Sequence, residues 1–321
     1  MRRGIAFLIL AAALMLSLIP TVAHATDRCF TNGYGTCSQG MGGAGVAFPI
    51  GQLSAATNPA SLAAGDAGWE IGVGPFNPNR SYTVTGTPSG YPGTFGLAPG
   101  EVSSDSSLFF MPQFGFSKKM GEWSPMFSFG ASYQSRTYMS KFDKYSGLFA
   151  EQGEFDIPSS WTIGIGLKPT KALDLAFDVQ RIRYSDVKSV GHPMLPNLTQ
   201  SALGTAGGAG FGWQDMTVFE AGLPYRAGGR WTWRGCNSYG NQPVPSSEVL
   251  FNILAPGVVQ QHATIGFSKE VAPRRSFDFA LTRAFSSTVT GPNPLEVPGK
   301  QQIAITMEQW VFTFGYSVRF K

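Results

Sequence analysis

Apolar and polar residues alternate one by one along much of the chain. Near the C-terminus Trp310, Phe312, Phe314, Tyr316, Val318 and Phe320 share one parity, and Val311, Thr313, Gly315, Ser317 and Arg319 share the other. Successive side chains of a strand point to opposite faces, so this pattern predicts a strand with one aromatic-apolar face. The dyad returns in Phe127, Phe129, Ala131 and Tyr133, in Trp161, Ile163, Ile165 and Leu167, in Leu173, Leu175, Phe177 and Val179, and in Phe277, Phe279 and Leu281. Strands are expected over 69–86, 105–117, 123–137, 156–168, 172–187, 213–226, 230–240, 258–271, 275–289 and 301–320.

Alternation fits a secreted β-sandwich as well as a membrane barrel, and the connections separate the two. Lys118–Glu122, Pro169–Lys171, Ala227–Gly229 and Ala272–Arg274 are tight. Thr87–Ser104, Tyr138–Phe155, Lys188–Gly212, Asn241–Gly257 and Thr290–Lys300 are long and rich in Gly, Pro and Ser. Short turns on one side and long loops on the other are the layout of outer-membrane barrels. Trp69, Trp123, Trp213, Trp231 and Trp310 sit near strand starts, where an interfacial girdle would lie. The expected fold is all-β: a transmembrane antiparallel β-barrel of about ten strands, with both termini on the periplasmic side. Residues 105–117 and 123–137 are expected to form a tight hairpin.

The first residues add a compartment. Met1-Arg2-Arg3 is basic, Ile5 to Ile19 is apolar or small, and Ala23-His24-Ala25 is a small-x-small tripeptide. The run is shorter than the ~20 residues of a spanning helix, so residues 1–25 read as a secretory signal peptide rather than an uncleaved anchor, with the mature chain starting at Thr26. Residues 26–67 fit no spanning pattern and read as a Gly/Ala-rich N-terminal hatch or plug, leaving 68–321 as the barrel. In an oxidising periplasm Cys29 and Cys37 are close enough to bridge, whereas Cys236 reads as a small, free, buried residue.

Composition narrows the function. Net charge is +4, falling to +2 without Arg2 and Arg3, too mild to point to nucleic acid. Three histidines and no CxxC give too few ligands for a metal, and no cofactor is expected. Gly40-Met-Gly42-Gly43-Ala-Gly45 matches GxGxxG, but without the preceding strand and following helix that dinucleotide binding needs. It reads instead as a segment turning sharply beside a barrel wall. Asp174, Asp178, Asp278 and Glu220 read as a wetted inner wall rather than acid–base pairs. His192 and His262 lack a GxSxG elbow, so no enzyme is expected.

Two groups of motifs carry a resemblance. Gly40-Met-Gly-Gly-Ala-Gly-Val-Ala-Phe-Pro49 is followed by Ala56-Thr-Asn-Pro-Ala-Ser-Leu62. Later come Ser140–Ala150, Asp186–Val190, Gly210–Asp215 and Gln242–Pro256. Together they resemble the FadL-type outer-membrane transporters of long-chain fatty acids and aromatic hydrocarbons. The resemblance implies a hatch carrying Asn58-Pro59-Ala60, hydrophobic ligands in outer and lumenal pockets, and exit through a gap in the barrel wall. It also marks a departure. Family barrels have about fourteen strands, so this chain is shorter by about four, which narrows the lumen and leaves less room for a hatch.

The expected function is passive, hatch-gated passage of hydrophobic small molecules across the cell outer membrane. Leu148, Phe149, Leu250, Phe251, Ile253 and Leu254, apolar residues in polar loops, are the candidate ligand contacts. Gly40, Gly42, Gly43, Gly45, Asn58, Pro59 and Ala60 are the candidate gate. The other expected partners are membrane lipid and the barrel-assembly machinery, with the chain acting as a monomer. A general aqueous pore and a non-transporting structural or adhesion barrel are the alternatives.

Overall fold

The computed structural model describes residues 33–63, 65–104, 109–117, 126–139, 141, 146–148 and 150–320. The signal peptide, Thr26, Cys29, Trp123 and Phe149 lie outside the described residues. Among these residues eleven strands form one antiparallel sheet: β1 (Gly68–Thr85), β2 (Gly100–Ser104), β3 (Phe109–Ser117), β4 (Phe127–Gln134), β5 (Ser160–Leu167), β6 (Leu175–Ile182), β7 (Met216–Ala227), β8 (Trp231–Gly240), β9 (Gln261–Ala272), β10 (Arg275–Pro292) and β11 (Gln302–Arg319). The lateral order is β2-β1-β11-β10-β9-β8-β7-β6-β5-β4, and β3 also pairs with β1. Both short strands use one partner: β2 lies along 80–84 and β3 along 68–76 of β1. They act as one interrupted strand, so the sheet has ten positions, as the alternation predicts.

The two ends of the sheet, β3 and β4, are neighbours in sequence, but they do not pair. The expected hairpin of 105–117 with 123–137 is therefore corrected: among the described residues β4 pairs with β5 alone, over eight residues, and β3 with β1 alone. Two prolines explain part of this. Pro112 lies within β3 and Pro125 just ahead of β4. Proline has no N–H for a ladder and is confined to strand edges.

The faces of the sheet are those of a membrane protein. Ile71, Val73, Phe114, Phe129, Ile163, Phe177, Phe219, Ile265, Phe312 and Phe314 are exposed on one side. Glu70, Ser128, Thr162, Asp178, Glu220, Thr264, Asp278, Thr313 and Ser317 are buried on the other. A soluble sandwich buries its apolar face, whereas here the apolar face forms a broad outer belt suited to lipid. Trp69, with Trp231 stacked on Trp233 at 5.6 Å between ring centroids, stands at the end that carries the short turns. Trp213 departs from the expected girdle. It is buried among the long loops, where its Nε1 donates to Asn252 Oδ1 at 2.6 Å.

Those loops have a core of their own. Tyr184, Val187, Val190, Met194, Phe211, Trp213, Val249 and Leu250 pack on Val84, Ile182, Met216, Ile303 and Ile305 at the strand ends. Asn252 is fully buried beneath them, and its Nδ2 donates to Phe211 O at 2.8 Å and Glu248 O at 2.9 Å. Glu248 accepts Met194 N–H at 2.8 Å across to the neighbouring loop. The Gln242–Pro256 stretch thus fastens the loops into a crown.

Candidate functional site

The lumen is filled by the segment that precedes β1. Its one-turn helices α1 (Thr36–Gln39) and α2 (Ser54–Thr57) are too short to stand alone, and the wall is shaped to hold them. A Cβ on Gly315 would stand 2.4 Å from Thr36 Oγ1, one on Gly130 2.3 Å from Val46 O, and one on Gly166 2.4 Å from Phe48 Cδ1. No larger residue fits these inward positions. Glycine on the wall is how a narrow barrel keeps its filling, which answers the question of room raised by the chain length. The segment reaches both edges of the sheet, with Leu53 against Gly115 of β3 and Val46 against Gly130 of β4. The sheet therefore curls around it.

Two wall carboxylates grip the segment from different strands. Glu70 on β1 accepts Thr36 N–H at 2.7 Å and Gln52 N–H at 3.3 Å. Asp178 on β6 accepts Gly45 N–H at 2.7 Å and Val46 N–H at 2.8 Å through the same oxygen. Thr313 Oγ1 donates to Gln39 Oε1 at 2.7 Å, and Ser117 Oγ to Gln52 Oε1. Hydrogen bonds to a carboxylate are the strong ones, and in a lumen they are shielded from competition by bulk water.

The expected gate residues meet at the same place. Gly42, Gly43 and Gly45 have φ of +59°, +95° and +130°, which let the chain reverse tightly against the wall. A Cβ on Gly42 would come within 2.7 Å of Cys236 Sγ. Gly40 lies against Gly266, whose added Cβ would come within 3.0 Å of Gly40 Cα. Asn58 is buried; its Nδ2 donates to Val46 O at 2.8 Å and its Oδ1 accepts Ala60 N–H at 3.0 Å. Pro59 and Ala60 open a 3-10 turn, Pro59–Ala63, and are exposed, with Pro59 bordering a cavity above. Val46 is thus fastened at both ends of its peptide, by Asp178 at N–H and by Asn58 at C=O.

This geometry can be set beside known proteins. The family described as "Outer membrane protein transport protein (OMPP1/FadL/TodX)" matches residues 115–320. The chain belongs to this family. Among solved structures it resembles the toluene transporter TodX of P. putida, at 13% identity and TM-score 0.57 over 91% of this chain and 99% of that one. It also resembles a FadL homologue of Pseudomonas aeruginosa, at 12% and 0.61 over 94% and 100%, and the toluene transporter TbuX of Ralstonia pickettii, at 16% and 0.51 over 90% and 99%. No curated protein matches the chain. As a member of the OMPP1/FadL/TodX family the protein is an outer-membrane transport protein and not an enzyme.

The family member's expected ligand contacts are spread through the crown. Leu250 is buried in the crown core, Phe251 and Ile253 pack against that core, Leu254 is exposed, and Leu148 is half-buried in a separate loop. Cys37 has no disulfide partner among the described residues, and the bridge expected with Cys29 lies outside them. The Cys37 Sγ lies 3.7 Å from Ser268 Oγ, buried deep against the wall. Cys236 is free and buried, as expected. No motif marks Glu70. Its one visible signal is an acid between Trp69 and Ile71, on the inward parity of an otherwise apolar strand start.

Two cavities flank the filled centre. One, of about 350 Å³, is bounded by Tyr34, Gly43, Pro59, Ser132, Thr162 and Glu220 on the crown side. The other, of about 500 Å³, is bounded by Phe48, Ile50, Ser128, Lys168, Arg226 and Arg234 on the short-turn side.

Proposed function

We propose that this protein carries small hydrophobic molecules, aromatic hydrocarbons or long-chain fatty acids, inward across the outer membrane by passive diffusion. Residues 26–67 serve as the hatch and 68–321 as the barrel. The observation that carries the reading is an apolar crown set above a lumen that the N-terminal segment closes. A hydrophobe leaves water at the crown, where Leu148, Phe149, Leu250, Phe251, Ile253 and Leu254 supply contacts favourable enough to hold it and weak enough to release it. The unpaired edge between β3 and β4, flanked by Leu53 and Val46 of the hatch, is the exit toward lipid. The solved toluene transporters that the chain resembles support the choice of ligand class. The protein works as a monomer inserted by the barrel-assembly machinery.

A second reading, a general aqueous pore, draws on the polar lumen wall of Ser128, Thr162, Thr264 and Thr313. Uptake of labelled toluene and labelled fatty acid by cells with and without the protein separates the two. Faster uptake of either hydrophobe is expected. Asn58→Ala and Gly42→Val should change that uptake while heat-modifiable migration, the mark of a folded barrel, stays normal. Normal migration with unchanged uptake in both variants would remove the hatch as a gate and favour the pore.

A further inference from the structure

We infer that Asp178 is the latch of the hatch: its carboxylate holds a strip of chain, 43–48, that stands between two water-accessible chambers of the lumen, and losing it joins them into an ion-conducting path. The inference rests on the reading of the N-terminal segment as a hatch, and it concerns water and ions rather than hydrophobes.

The division follows from which residues border each chamber. The upper chamber is bordered by Gly43, with Ser132 on β4, Thr162 on β5, Gln180 on β6 and Glu220 on β7. The lower one is bordered by Ala47 and Phe48, with Ser128 on β4, Lys168 just past β5, Asp174 just before β6 and Arg226 on β7. On β4, β5 and β6 the upper and lower lining residues straddle the height of Asp178, and on β7 the upper one, Glu220, is level with it as its cross-strand partner. The strip 43–48 crosses the lumen at that height. Both chambers are lined by polar and charged groups, so water fills whatever joins them.

The strip packs on the wall glycines, but its polar hold on the wall is thin. Among the described residues, its hydrogen bonds to the wall are the two to Asp178 and a weaker one from Ala44 N–H to the Cys236 sulfur. The part of the hatch near β1 is held several times over, by Glu70, Thr313, Ser117 and the close fit of Thr36. Asp178 is also dedicated to this task. Its second oxygen, Oδ1, is buried with no hydrogen-bond partner, lying over Gly164. By contrast Asp278 is satisfied by Ser268, Ser276 and Ser317 of the wall, and Asp174 by Arg226. Asp178 is therefore a positioning residue: release at that end swings the strip about the part pinned near β1.

Conductance of the purified full-length protein in planar bilayers bathed in KCl is the test. Asp178→Ala should raise the fraction of time in a conducting state on the order of tenfold, the factor expected for losing a charge-assisted hydrogen bond. Asp178→Asn, which keeps the shape and loses the charge, should raise it less. Val46→Pro removes a donor from the hatch alone and should also raise it, which covers the case where Asp178→Ala fails to fold. A cross-link supplies the reversal. A Cβ on Gly222 would stand 3.1 Å from Ala44 Cβ, so Ala44→Cys with Gly222→Cys in the Asp178→Ala protein should close the path when oxidised and reopen it when reduced. Wild-type conductance in folded Asp178→Ala or in folded Val46→Pro, or a conducting state indifferent to the cross-link, would overturn the inference. Hydrophobe uptake measured in parallel keeps the two readings apart. A latch that opens in a protein that never carries toluene or fatty acid leaves the latch standing and the transport reading lost.

Discussion

The lower and upper halves of β1, β10 and β11 obey opposite rules on the same backbone. Below Trp310 the inward positions of β11 are Thr313, Gly315 and Ser317 and the outward ones Phe312, Phe314 and Tyr316. Above it the inward positions are Ile303 and Ile305, within the crown core, while Thr306 and Glu308 face out. Across the sheet β1 changes with it, from Ile71 and Val73 outward to Asn77, Asn79 and Ser81, and from Glu70 inward to Tyr82 and Val84. Beside the switch, Arg283 lies 4.6 Å from the Trp310 ring, pairs with Glu308, and is followed by a bulge between Ala284 and Ser287. The lesson is that the solvent on the far side decides which parity is apolar. A strand of 18 residues is nearly twice what the membrane requires, which is about 9–11 residues. The lower half is built for lipid outside and a polar, hydrogen-bonded filling within, the upper for water outside and a dry core within.

The sharpest way to break this comparison is to place one charge in each half. Phe314→Arg puts it on the lipid face and should cost roughly 2–4 kcal/mol, read as lost heat-modifiable migration and a lower urea midpoint. Thr306→Arg, outward on the same strand, should change either measurement by less than about 0.5 kcal/mol. Equal effects would mean that the belt does not end at Trp310. Next in size is Asn252→Ala, which leaves buried partners at Trp213 and Phe211 unsatisfied and should cost the crown about 1–3 kcal/mol. Faster proteolysis within 241–258 at an unchanged barrel melting point is the expected signature, and simultaneous loss of both would show that crown and barrel unfold as one unit.

The smallest effect is one of pH. Burial beneath the crown raises the Glu248 carboxyl above its ordinary value of 4.5. The folded crown therefore binds that proton more tightly than the unfolded chain does. Stability from this group is fully present below pH 4.5 and falls as pH climbs through the raised folded value, so proteolysis should quicken over that window. Glu248→Gln should flatten the profile, and a slope that survives in it would assign the dependence elsewhere.

Much of the barrel was legible because a period of two is a local signal. Ten strand positions, the tight turns at 169–171, 227–229 and 272–274 and the long loops follow from parity and spacing. What was not legible depends on partners far away in sequence. Trp213 begins an apparent strand like Trp231, yet only the packing of 183–213 on 241–258 tells that it belongs to a core. Leu250, Phe251 and Ile253 read equally as ligand contacts or as loop packing, and they meet that same core. Short spacing between β3 and β4 predicts a hairpin there, and the only local signals against it are Pro112 and Pro125. Of the hatch, Gly42, Gly45 and Asn58 stood out by their motifs. Glu70 did not, since a single acid gives no sign of which backbone amides it will meet.

The crown is held up unevenly. β1, β10 and β11 run on above the belt, while β4, β5 and β6 stop after eight residues each. The roof is a bracket fixed along one side of the mouth, overhanging the other. Such a bracket can be lengthened, trimmed or re-lined at its free side without moving a single stave below. The part of the molecule proposed to meet cargo first is then the part most open to change by evolution or by engineering, and the staves below need not change with it.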